Sequence, residues 1–146
     1  MQTVRKLRKR SGFTLVELLI VIIIIGILAG AMLLVAGSGT DSAEATKIIS
    51  NLRSLKSATL LWYADNASSP TGPDIDDLRG YMDRDMETQG YETDVDDGWW
   101  VGYTAVPDTG VRAKLKAKAE ELGLYPTATA SGDYYDNEAA IWIQAR

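Results

Sequence analysis

Cysteine and histidine are both absent from the 146 residues. Their absence excludes disulfide frameworks, Cys/His zinc sites, thiol nucleophiles and any triad built on imidazole. Positive charge is scarce as well, with 15 Lys and Arg against 20 Asp and Glu and a formal net charge of −5. Five of those cations (Arg5, Lys6, Arg8, Lys9, Arg10) fall within the first twelve residues, which carry no acid. Beyond them, chemistry rests on carboxylates, hydroxyls and ten basic groups. So acidic a remainder disfavours nucleic acid as a direct partner. The length suits one domain with one core.

What the chain does have is a single long apolar run. Phe13 to Ala36 is 24 residues with one charge and no proline. At about 1.5 Å per helical residue it exceeds the roughly 30 Å hydrocarbon core of a bilayer. A secretory signal has a shorter apolar region, about 7–15 residues, followed by a small-residue cleavage site. Here Gly37-Ser38-Gly39 follows without an Ala-x-Ala pattern. The run therefore reads as a membrane anchor, with the basic flank in the cytoplasm and the bulk of the chain outside.

Glu17 is the exception within this run. An unpaired acid at the bilayer centre costs about 2.5–3.5 kcal/mol or more, and less near the interface. A cut between Gly12 and Phe13 would create an α-amine at the head of the same helix. Glu17 would then lie one turn away on the same face. Further along, Gly26 and Gly30 form Gly-x-x-x-Gly, which either permits close helix packing or reflects the frequency of glycine in membrane helices.

Lys9-Arg10-Ser11-Gly12 followed by Phe13-Thr14-Leu15-Val16-Glu17-Leu18-Leu19-Ile20-Val21 resembles the class III leader junction of type IV prepilins and type II secretion pseudopilins. The resemblance covers Lys9 to Ala36, fades toward Asn66 and beyond that is one of architecture alone. It implies that Gly12 ends a leader removed by a prepilin peptidase, which also N-methylates Phe13. It implies that Glu17 serves filament assembly by meeting the Phe13 amine of a neighbouring copy in an apolar core, where salt screens the pair little. The implied partners are further copies of the chain, the peptidase/methylase, an assembly platform with its ATPase, and the inner membrane before assembly. The implied fold is α+β: a long N-terminal helix packed on a small antiparallel sheet with short extra helices. No cofactor and no enzymatic activity are implied.

The expected organisation is a leader over residues 1–12, an apolar helix over 13–36, its amphipathic continuation over 37–66 and a head over 67–146. In the continuation Ala45, Ile48, Leu52, Leu55, Thr59 and Trp62 recur at helical spacing, with Asp41 or Ser42 as N-cap and Gly37-Ser38-Gly39 as a flexible joint. The helix should end near Asn66, before the turn residues 67–73. In the head, 74–86 reads as a short amphipathic helix, 98–106 as a strand, 109–122 as a helix capped by Gly123, and 134–135 and 139–144 as the last strands.

Ten acids crowd Asp74 to Asp97 against Arg79 and Arg84. Asp94, Asp96 and Asp97, and separately Asp133 and Asp136, are candidate calcium ligands, because hard cations take clustered carboxylate oxygens. Solvated acidic loops are the simpler account, and the spacing is not that of an EF-hand. The resemblance to pseudopilins, some of which hold calcium in C-terminal loops, brings no residue-level match. Lys114, Lys116 and Lys118 read as a solvated face beside Glu120 and Glu121.

Two functions in the same family fit: a type IV pilus subunit of a surface filament, preferred here, and the major pseudopilin of a type II secretion system. From another class comes a membrane-anchored hydrolase using Asp96 and Asp133. That reading needs two carboxylates held in different environments about 5–9.5 Å apart.

Overall fold

The computed structural model describes residues 12–69, 71–96, 98–107, 110–129 and 132–146, apart from the side chain of Leu34. The basic leader to Ser11 lies outside this range, as do Asp97 and the expected helix start at Thr109.

Helix α1 runs unbroken from Leu15 to Asp65. The chain divides into two units, one ending at Gly37 and the other running from Ser38 to Arg146. The expected joint at Gly37-Ser38-Gly39 is helical, and neither Asp41 nor Ser42 starts a new helix. The Ser42 hydroxyl turns back onto the helix instead, as does that of Thr46. Ser42 Oγ donates to the Ser38 carbonyl at 3.0 Å and Thr46 Oγ1 to the Ser42 carbonyl at 2.8 Å.

In the first unit every described apolar side chain is exposed, from Phe13 at 85% to Val35 at 72%. This is the one helix among the described residues that is long and apolar enough to cross a membrane. Apolar residues on all sides leave this part of the helix no polar face, so nothing within the unit can bury its surface.

The second unit holds the core. Its portion of α1 buries Ala45, Ile48, Leu52, Leu55 and Thr59, with Trp62 partly buried at the edge. These are the positions the 3-4 spacing predicts. Four antiparallel strands pack on this stripe: β1 (Tyr91–Asp94), β2 (Trp100–Tyr103), β3 (Leu124–Tyr125) and β4 (Ile141–Gln144). Their order is β1-β2-β4-β3. Alternation then divides the sheet. Tyr91, Val101, Ile141 and Ile143 join the core with α1, while Trp100, Gly102, Trp142 and Gln144 occupy the opposite face of the paired central strands.

That opposite face is also covered. Trp100 is 1% exposed and meets Tyr125 edge-on at 5.6 Å, which in turn leans on Tyr134 at 5.4 Å. Trp142 lies over Gly102, its register partner, and a Cβ on Gly102 would overlap the indole. Only glycine leaves that space.

Several head elements differ from the expectation. Residues 74–86 form a 3-10 helix over Asp77–Tyr81, with a second over Glu87–Gln89, in place of an amphipathic α-helix. Carboxylates compete for the local amides: Asp77 Oδ2 accepts from the Asp74 N–H and Asp85 Oδ1 from the Glu87 N–H, which favours tight turns. The helix expected over 109–122 is two helices, α2 (Gly110–Lys116) and α3 (Ala119–Leu122), parted by a turn at residues 117–118. They lie between β2 and β3, where an extra helix is expected. Gly123 ends α3 with φ +63°, the left-handed cap. Tyr134 and Tyr135 are not a strand; a single Tyr135 N–H bond to the Leu124 carbonyl ties that loop to β3.

Candidate functional site at the head of the apolar helix

Helix α1 begins at Leu15, so Phe13 and Thr14 precede it. Thr14 occupies the N-cap position and Glu17 the third helical position. Glu17 Oε2 accepts the Thr14 backbone N–H at 2.9 Å and the Thr14 hydroxyl at 2.8 Å, and the Glu17 N–H lies 3.2 Å from Thr14 Oγ1. This is the reciprocal capping box. It satisfies first-turn amides that have no partner within the helix and places a carboxylate at the positive end of the macrodipole.

In the uncut chain Phe13 and Thr14 precede the helix; the one-turn relation expected between Phe13 and Glu17 belongs to the chain cut after Gly12. Here the cap supplies two donors at the Glu17 carboxylate, and both belong to Thr14. A reading that weighs only the charge of Glu17 passes over Thr14. The Thr-x-x-Glu spacing ahead of an apolar run was the available signal. Phe13 itself projects into the open, and Gly12 is exposed beside it.

Gly26 and Gly30 have open space where a Cβ would stand.

The other candidates are not drawn together. Asp94 Oδ1 accepts the Asp96 N–H at 3.1 Å and so closes its own turn. Asp136 pairs with Lys116 and donates its N–H to Glu138 Oε2 at 2.9 Å. Among the described residues no three acids gather as a donor set for a cation; Asp97, the remaining candidate, lies outside them. Asp96 and Asp133 are both exposed. Neither has the contrasting environment that acid/base work by a carboxylate pair requires.

Against this geometry, residues 7–33 match the prokaryotic N-terminal methylation motif. That segment is similar to the N-termini of type IV prepilins and type II secretion pseudopilins. The chain is also similar to curated proteins over a stretch longer than that motif. It is 33% identical over 67 residues to type II secretion system core protein G of Vibrio cholerae, covering 46% of each chain. Against the protein of that name from Klebsiella michiganensis, identity is 37% over 64 residues, 44% of this chain and 45% of the relative. The Escherichia coli K12 protein is 35% identical over 63 residues, 43% of each. The chain thus spans less than half the length of the curated relatives it matches. No solved structure matches it.

Proposed function

We propose that this chain is a pseudopilin-type structural subunit of a type II secretion apparatus, cleaved after Gly12, N-methylated on Phe13 and polymerised through its N-terminal helix. The sequence alone favours the neighbouring reading, a pilus subunit. The names carried by the relatives move the choice to the secretion pseudopilin.

One observation carries the assembly half of this reading. The first-unit part of α1, whose apolar side chains are exposed on every side, carries a carboxylate in its first turn, on a segment matching the methylation motif. Lipid can cover that surface while the subunit waits in the inner membrane, with its N-terminus in the cytoplasm. Copies of the same helix can cover it once the subunit leaves. Lipid and leucine are equally apolar, so the exchange gains little hydrophobic energy. Direction and register must come from polar contacts. In the processed chain the Phe13 amine and Glu17 of adjacent copies supply one such pair, and removing one partner leaves the other buried and unpaired. The peptidase/methylase, an assembly platform and its ATPase are the partners this sequence of events requires.

The test is Glu17→Ala expressed in the native cells. The variant should be processed, stay in the membrane, and lose filaments together with secretion of the exported proteins. Normal filaments would overturn the role given to Glu17. Intact secretion with loss of surface pili would return the choice to the pilus subunit.

A further inference from the structure

The run Gly110–Lys118 carries Arg112, Lys114, Lys116 and Lys118 and no acid, four of the ten cations that follow residue 12. Folding fixes where they point. Val111, Leu115 and Ala119 are buried at 0–2% exposure, which turns the lysines outward from the face between them. Arg112 is engaged with the carbonyls of Val106 and Asn137, and Lys116 pairs with Asp136. Lys114 and Lys118 instead flank a notch of about 130 Å³, completed by Ala117 and by Ser42, Ala45 and Thr46 of α1.

The notch suits an anion with an apolar neighbour. Its hydroxyls already donate to helix carbonyls, so the two ammonium groups are its available donors. The alanine methyls offer a floor for the lysine stems and for a small apolar moiety. Acids stand nearby on α1. Asp41 is turned against Gly110, and Glu44 is exposed; neither lines the notch.

Its position in the chain selects among anions. Ser42 follows Gly37 by five residues, and five residues of chain span at most about 18 Å. The apolar run ends at Ala36, so chain connectivity alone bounds how far Ser42 of the notch can lie from the end of a membrane anchor. The processed chain carries a formal charge of −10, which repels an anionic bilayer everywhere except at such a patch.

We propose that Lys114 and Lys118 form a headgroup site for an anionic phospholipid, orienting the head on the bilayer before assembly. The phosphodiester lies between the two ammonium groups and the glycerol portion lies over Ala45 and Ala117. The site deepens the membrane-anchored stage of the proposed function and rests on it.

The experiment uses the full chain in nanodiscs of phosphatidylcholine, with or without phosphatidylglycerol, and reads amine acylation at each lysine by mass spectrometry. At low salt, phosphatidylglycerol should slow labelling of Lys114 and Lys118 about fivefold each, with Lys56 of α1 unchanged and the protection lost in high salt. Lys118→Gln should weaken protection at Lys114. Equal rates in the two bilayers would overturn the site, as would equal protection of Lys56. Protection by inorganic phosphate in phosphatidylcholine discs, matching that by the anionic lipid, would show a free-anion site and overturn the lipid assignment. Failure of the chain to enter either disc would instead refute the anchor itself.

Discussion

Gly102→Ala is the perturbation whose cost the structure defines best. Strand β2 places Gly102 opposite Trp142 on the sheet face away from α1, and an added methyl would overlap the six-membered ring of that indole. Trp142 is 9% exposed. Expelling it entirely would return about 200 Å² to water, an upper bound of about 5 kcal/mol. Partial adjustment of ring and strand brings the expected cost to about 1–3 kcal/mol. For a unit of this size each kcal/mol lowers Tm by about 4–8 °C. All four tryptophans lie at or beyond residue 62, so tryptophan fluorescence of the full chain in detergent reports on the second unit and not on the apolar helix. In a Trp142→Leu background the same glycine change should cost far less, and the coupling energy of the double-mutant cycle measures the contact. A Gly102→Ala protein melting within a degree or two of the parent, or a coupling near zero, would refute the packing described for this face.

Thr14→Ala removes the hydroxyl half of the capping box and should cost the first turn of α1 about 1 kcal/mol. Amide exchange of the full chain in micelles should then quicken about fivefold at residues 15–17 and nowhere in the head; unchanged exchange contradicts the cap. Burial pushes the Tyr135 hydroxyl up to about 12, and it donates to the Glu138 carbonyl at 2.6 Å. An unfolded tyrosine ionises near about 10, so this contribution is fully present below about pH 10 and is lost as pH rises through about 12. Tyr135→Phe should flatten the alkaline limb of a stability-against-pH curve, and a limb of unchanged slope contradicts the assignment. The Arg146 guanidinium lies 3.8 Å from the Tyr63 ring centroid and 5.2 Å from that of Trp99. Arg146→Met should lower Tm by a few degrees, for a loss of about 0.5–1 kcal/mol; no change would mean that the cation adds nothing to the methylene packing.

The parts legible in the sequence share one property: a pattern long enough to average over local exceptions. The 24-residue apolar run and the stripe from Ala45 to Thr59 each span several turns, and both survive into the structure. Short elements do not give that averaging. Strand β1 is Tyr-Glu-Thr-Asp, whose period-2 alternation is masked by the surrounding acids, and β3 is two residues whose pairing depends on β4, sixteen positions downstream. The break between α2 and α3 leaves Val111, Leu115 and Ala119 buried, so the hydrophobic spacing carries no mark of it.

At the candidate site, Glu17 stands out because a charge in an apolar run is costly. Thr14 does not, because its value lies only in a reciprocal bond three residues away. The covering of the outer sheet face was equally hidden, since Gly102 reads as a weak point in a strand until Trp142 is placed above it.

The central claim is that the leader junction is cut and the exposed helix is then buried among copies of itself. Mass spectrometry of the N-terminal peptide from filaments, collected after overproduction of the chain in its own cells, tests this most directly. The account expects a peptide beginning at N-methylated Phe13. An intact Ser11-Gly12-Phe13 junction in assembled filaments would contradict it.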